Sequence, residues 1–153
     1  MFLIQIEAFF VQWGQQLYST FVEQQRYLML LDGFKNTLII TLGALLIGIV
    51  LGTAVAVIKF LAEEKPALKP LAWLCNVYVT VVRGVPVVVL LLIFYFVILR
   101  SADGIVTGIV AFGINSGAYM AEIIRGGINA VDGGQTEAAR SLCFTRMAAM
   151  RFV

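Results

Sequence analysis

Three long stretches of the chain carry few charges, and short charged or polar segments separate them. The first occupies 36–58, between Lys35 and Lys59, with no charged residue inside it. At about 1.5 Å per residue it reaches about 35 Å, enough to cross some 30 Å of hydrocarbon with a modest tilt. It predicts a transmembrane helix. Ala44, Gly48, Gly52 and Ala56 recur in it every four residues. Such a stripe either lets a second helix approach closely or faces lipid. The connector at 59–70 holds Lys59, Lys65 and Lys69 with Pro66 and Pro70. The second apolar region, 71–99, is interrupted by Arg83, Gly84, Val85 and Pro86. Proline lacks an N–H and starts or kinks a helix, and an arginine must lie near an interface or in a protein-lined cavity. This pattern predicts an interfacial helix and a second transmembrane helix, with a break near 84–86. After a polar turn at 100–103, a third span is predicted at 104–124, where Gly104, Gly108, Gly113, Gly117 and Ala121 provide small residues.

The two ends read differently. In 1–35, Phe9, Phe10, Trp13, Leu17 and Phe21 recur at roughly helical spacing among Gln12, Gln15, Gln16 and Glu23. The segment is either an amphipathic helix on the membrane or the bundle, or a loosely ordered lead-in. In 132–153, Gly133 and Gly134 punctuate, and Gln135 to Met150 reads as a helix with Glu137 in its first turn, where a negative charge suits the helix dipole. Ala139, Cys143, Met147 and Met150 then fall on one narrow face of small and soft side chains. That helix is too short and charged to span. It is either an ordinary interfacial helix or one that lays its small face in a groove of another protein. Lys59, Lys65, Lys69, Arg125, Arg140, Arg146 and Arg151 flank the spans on one side, against Arg26, Lys35 and Arg100 on the other. Positive charge favours the cytoplasmic side, so the N-terminus is expected outside, with connector and C-terminal segment in the cytoplasm.

Composition sharpens this reading. Of the 153 residues 61% are hydrophobic and 13% charged, with mean hydropathy +0.95, against about 45–50% and about 25% for soluble domains. The pattern is that of an all-α integral membrane protein, a bundle of about three transmembrane helices. A net charge of +2 with scattered basic residues excludes a nucleic-acid footprint. The chain has no histidine, so imidazole metal sites and histidine general bases are absent. Cys75 and Cys143 are far apart and have no metal or redox spacing. No metal site and no cofactor are expected. The first ten residues lack lysine and arginine and contain Glu7, unlike a cleaved signal peptide, so the spans themselves are expected to target the membrane.

The third span carries the polar candidates. Asn115, Tyr119 and Glu122, spaced i, i+4, i+7, share one helix face, with Ser116 beside them and Gly113, Gly117 and Ala121 roughly opposite. Polar groups at that depth need partners or a wet cavity. They line a passage for a polar solute, or they hydrogen-bond between helices while Glu122 reaches the headgroups near Arg125. No nucleophile stands with a base, so no catalytic residue is assigned.

Several segments carry a resemblance. LLDGFKNTLIITL at 30–42, VVRGVPVVVLLL at 81–92 and above all FGINSGAYMAEIIRGGINAVDGGQTEAARSL at 112–142 resemble the permease subunits of ABC-type importers of polar amino acids. The resemblance covers roughly 27–153. Glu137, Ala138 and Ala139 match the opening of the EAA motif, with Cys143 where the family has glycine. It implies the N-terminal three-fifths of a five-helix permease, truncated after the EAA region, in the cell membrane. It implies no enzymatic activity of its own: a separate cytoplasmic ATP-binding subunit would hydrolyse ATP. The other implied partners are a second permease subunit, alike or different, an extracytoplasmic substrate-binding protein, and the bilayer. Gly134, Gln135, Glu137, Ala138, Ala139 and Cys143 would form the ATPase coupling helix. Arg83, Asn115, Ser116, Tyr119 and Glu122 would line the substrate pathway, Glu122 meeting an amino acid's ammonium and Arg83 its carboxylate. At 143 a side chain in place of glycine implies weaker coupling or a helix that runs on. The alternative is a non-transporting membrane adaptor that binds a partner through the C-terminal helix.

Overall fold

The structure, a computed structural model, describes residues 2–23, 25–63, 65–145 and 148–149. The described residues are mostly helical and contain no strand. The helices are α1 (Phe2–Tyr18), α2 (Arg26–Ala62), α3 (Lys69–Gly84), α4 (Val87–Ile93), α5 (Gly104–Asn129) and α6 (Gly133–Ser141). Short π-helical segments follow α1 (Ser19–Glu23) and α4 (Phe94–Ile98), and a 3₁₀ turn (Pro66–Leu68) precedes α3. The helices α2 and α5 are long and apolar enough to cross a membrane, and the bent pair Pro66–Gly84 and Val87–Ile98 makes a third crossing if counted as one span.

The chain divides into two compact units, Met1–Thr41 and Leu42–Val153. In the first, α1 leaves Phe9, Phe10, Trp13 and Leu17 exposed. Phe9 meets Phe10 edge-on at 5.9 Å between ring centroids and Trp13 at 5.6 Å. The side chain of Phe21 lies outside the described residues. Helix α2 begins at Arg26, so the lead-in read from the sequence ends earlier: residues 26–35 continue into the apolar helix with no break in backbone hydrogen bonding.

In the second unit, the stripe of small residues on α2 lies against α5. Ala44, Gly48, Gly52 and Ala56 are buried. A Cβ added at Gly48 would stand 2.9 Å from the Ser116 Cβ, and one at Gly52 would stand 2.5 Å from the Met120 Cβ. The approach is reciprocal, since a Cβ at Gly113 would meet Ile47 at 2.7 Å and one at Gly117 would meet Leu51 at 3.0 Å. Side chains do not tolerate contacts this short, so glycine at these positions sets the distance between the two helices. Helix α3 packs on the next side of α5. Val55, Cys75, Val79 and Ala121 form one buried cluster, and Val82, Leu90, Phe94, Ala111 and Ala118 another. The Tyr78 hydroxyl donates to the Ile114 carbonyl at 2.6 Å, reaching the α5 backbone beside Gly117.

Local chemistry fixes the helix ends. Val85 is extended before Pro86, as the clash with the proline ring requires, and the two halves of the pair are bent by 107° there. Asp103 caps α5, accepting from the Ile105 N–H at 2.7 Å, and Asp132 caps α6, accepting from the Gly134 N–H at 2.7 Å. The Asp132 cap corrects the sequence reading of α6. Gly133 and Gly134 lie inside the first turn, and Glu137 lies beyond it.

The other end of α6 is also a correction. The helix stops at Ser141 instead of running on toward Met150. Cys143 has φ 62°, the left-handed conformation that glycine adopts without steric cost. The Phe144 N–H donates to the Ala139 carbonyl at 3.2 Å and the Cys143 N–H to the Arg140 carbonyl at 3.0 Å, the two bonds of a Schellman cap. The narrow face through Cys143 therefore does not continue past it, and Arg146, Met147, Met150 and Arg151 lie outside the described residues. A side chain in this conformation costs about 1–2 kcal/mol. Cys143→Gly is expected to strengthen the cap by about 1 kcal/mol, and Cys143→Val to fray the last turn of α6. Amide hydrogen exchange at Leu142, Cys143 and Phe144 measures both: slower in the glycine variant, faster in the valine variant.

Candidate functional site

The helix ends bring four charged side chains together. Lys59 stands in the last turn of α2, Arg83 in the last turn of α3, and Glu122 and Arg125 one turn apart on α5. A cation near a helix C-terminus is favoured by the exposed carbonyls, which suits Lys59 and Arg83. Lys59 Nζ lies 2.8 Å from Glu122 Oε1, Arg83 Nη1 3.7 Å from Oε2, and Arg125 Nη1 3.9 Å from Oε1. Only the lysine contact is a hydrogen bond. The Lys59 side chain is 10% exposed and that of Glu122 28%, while Arg83 and Arg125 remain 42% and 51% exposed. The Arg83 guanidinium also lies 5.2 Å from the centre of the Tyr119 ring, within cation–π range. One carboxylate thus serves three cations from three helices, and one of those cations is shared with an aromatic ring.

Of the pathway residues expected from the sequence, the structure brings Arg83, Tyr119 and Glu122 into one cluster. Asn115 is half-buried, two turns back along α5, and Ser116 is part of the α2–α5 contact against Gly48. Glu122 faces three protein cations. Lys59, a connector residue by its place in the sequence, is the least exposed member of the cluster and makes its shortest contact. The linear order does hold a signal for it: Lys59 directly follows the first span, and Glu122 is the one charge within the third, 104–124, so the two fall near the same ends of neighbouring helices.

A small open cavity of about 140 Å³ adjoins the cluster, with Lys59, Glu63, Asn76, Arg125 and Asn129 among its lining residues. Among the described residues, no three His, Cys, Asp or Glu side chains converge to hold a metal ion. The coupling-helix candidates Gly134, Gln135, Glu137 and Ala138 are exposed on α6, with Ala139 half-buried and Cys143 exposed at its cap. Glu137 accepts from the Ser141 hydroxyl through its backbone carbonyl at 3.0 Å, leaving its carboxylate on the outer surface. The site therefore has two parts, an interhelical charge cluster and a short capped helix that presents an acidic and small-residue surface.

Comparison with known proteins gives the family. Residues 48–153 match the family described as the binding-protein-dependent transport system inner membrane component. The protein named "Probable glutamine ABC transporter permease protein GlnM" of Bacillus subtilis (strain 168) is 42% identical over 125 residues, covering 80% of this chain and 56% of the relative. The glutamate/aspartate import permease protein GltK of Escherichia coli O6:H1 is 36% identical over 135 residues, covering 81% and 58%. A crystal structure described as an amino acid ABC transporter with histidines superposes with a TM-score of 0.72 at 36% identity, covering 87% of this chain and 62% of that one. The chain spans somewhat more than half the length of the curated relatives it matches. By the family match over most of its length, the all-α architecture and the similarity to a solved transporter, the chain belongs to the inner membrane components of binding-protein-dependent transport systems.

Proposed function

We propose that the chain is the permease subunit, or the N-terminal part of one, of an ATP-driven importer of polar amino acids. The relatives named for glutamine and for glutamate and aspartate support that substrate class. The observation that carries the coupling role is α6: a short helix, capped at both ends, that follows α5 after a three-residue turn and displays Glu137 and Ala138 outward, with Ala139 half-buried beside them. Small side chains let such a helix enter a groove closely, and its firm caps let it transmit a push as a rigid body. In this reading α6 docks on a cytoplasmic ATP-binding subunit through Gly134, Gln135, Glu137, Ala138, Ala139 and Cys143. The chain pairs with a second permease subunit and receives substrate from an extracytoplasmic binding protein. The N-terminus lies outside, and 59–70 and 132–153 lie in the cytoplasm. Arg83, Asn115, Ser116, Tyr119 and Glu122 border the translocation path.

The test is co-purification and uptake after coexpression with an ATP-binding subunit, a binding protein and the remaining spans. Ala139→Trp is expected to reduce co-purification of the ATPase at least tenfold while the chain still inserts. Uptake of labelled glutamine or glutamate should fall with it. ATPase capture without uptake from any partner set would favour the adaptor reading, and crosslinks from Ala138 that form only on the outer face would end the coupling assignment.

A further inference from the structure

The charge cluster has a property that neither the motif nor the family description assigns. One carboxylate is held by one close cation while two others stand just beyond hydrogen-bond range, on different helices. Arg83 is kept there by a second partner, the Tyr119 ring, so a move of about 1 Å would bring it to Glu122. It stands at the C-terminal end of α3, next to the 107° bend at Val85 and Pro86. Lys59 is in the last turn of α2, after the tight contact of Gly52 with α5 and the buried Ala56. Which cation Glu122 takes therefore reports whether α5 is tied to α2 or to the bent pair α3 and α4.

We infer that Lys59 is a positioning residue for the transport cycle: in contact with Glu122 it ties α5 to α2, and when α2 withdraws it passes the carboxylate to Arg83. In a handover the carboxylate keeps a cation throughout, and the Lys59 ammonium that α2 carries away is left to the open cavity it already lines, whereas breaking the pair with no second cation at hand would strand both charges. Tyr119 holds Arg83 between turns, and Arg125, one turn along α5 from Glu122, stays with the carboxylate in both arrangements. A conformational change of the helices thus passes between two arrangements in each of which the carboxylate has a cation from a neighbouring helix, the kind of discrete repacking that a switching bundle uses. The transport role rests on the importer reading above; the handover itself does not.

Two measurements on the full chain in lipid nanodiscs and in the assembled transporter decide it. Nitrogen-15 NMR of the arginine guanidinium groups is read in the wild type, Lys59→Met and Lys59→Arg. In Lys59→Met the rotation of the Arg83 guanidinium is expected to slow at least tenfold as it takes Glu122, while Lys59→Arg leaves it as in the wild type. An Arg83 signal unchanged in folded Lys59→Met overturns the inference. If Lys59→Met fails to insert, Lys59→Gln, which is polar and uncharged, supplies the same reading. In proteoliposomes with the ATPase, Lys59→Met should lose at least tenfold in substrate moved per ATP hydrolysed while hydrolysis continues, and Lys59→Arg should recover most of it. An unchanged ratio in Lys59→Met overturns the transport role. If the wild type itself imports nothing, the importer reading fails, and the Arg83 signal still decides the handover.

Discussion

Gly52→Leu is expected to drive α2 away from α5 and to lower the stability of the bundle by about 3 kcal/mol, the upper end of overpacking costs. Even a methyl group at 52 would lie 2.5 Å from the Met120 Cβ and 3.0 Å from the Gly117 carbonyl oxygen. Neither neighbour is the free end of a flexible side chain, so the helices must separate. Separation then costs more than the local clash. Gly48 against Ser116, Gly113 against Ile47 and Gly117 against Leu51 all depend on the same interaxial distance, and helices in lipid have no hydrophobic drive to bring them back together. Gly127 is the internal control. It is on α5, and a methyl group added there would have nothing within 4 Å, so Gly127→Ala should be neutral or stabilising by about 0.5–1 kcal/mol. Unfolding in mixed detergent micelles, followed by helical circular dichroism, measures both. Equal stability of Gly52→Leu and the wild type would show that α2 and α5 are not held at this distance.

The sequence made much of this architecture legible. The all-α membrane class followed from composition and from long apolar runs, because lipid imposes length and polarity directly on the residues that face it. The stripe of Ala44, Gly48, Gly52 and Ala56 was visible as a period of four, and Pro86 marked a break because its effect on Val85 is local. What stayed hidden depends on which residues meet across the fold. Lys59 and Glu122 are 63 positions apart, and periodicity alone does not join a connector lysine to the third span. The ends of α6 were hidden for a different reason. A side chain before the periodic segment, Asp132, caps the helix and moves its start. At the other end, the left-handed backbone at Cys143 is a conformation that a non-glycine residue does not announce. The polar face of α5 was visible by phase, but phase does not say that Tyr119 holds Arg83 or that Ser116 turns toward α2.

The second large effect concerns the charge cluster, and it is an asymmetry. Glu122→Gln is expected to destabilise the bundle by about 3 kcal/mol, the low end of the cost of breaking a buried pair, because the carboxylate retains some access to water. Lys59→Met is expected to cost only about 1 kcal/mol. The difference follows from what each change leaves behind. Without the carboxylate, Lys59 keeps its charge at 10% exposure and faces Arg83 and Arg125 with no anion between them. Without the lysine, Glu122 still has Arg83 at 3.7 Å and Arg125 at 3.9 Å, and the methionine stem fills the space that the lysine stem occupied. Lys59→Met with Glu122→Gln should then be less destabilising than Glu122→Gln alone, since it removes the stranded ammonium and leaves only the two exposed arginines to repel each other through water. Detergent unfolding of the four proteins in this cycle gives all three differences. Equal costs for the two single changes would mean that Arg83 and Arg125 do not take up the carboxylate, and Glu122 would then be tied to α2 alone.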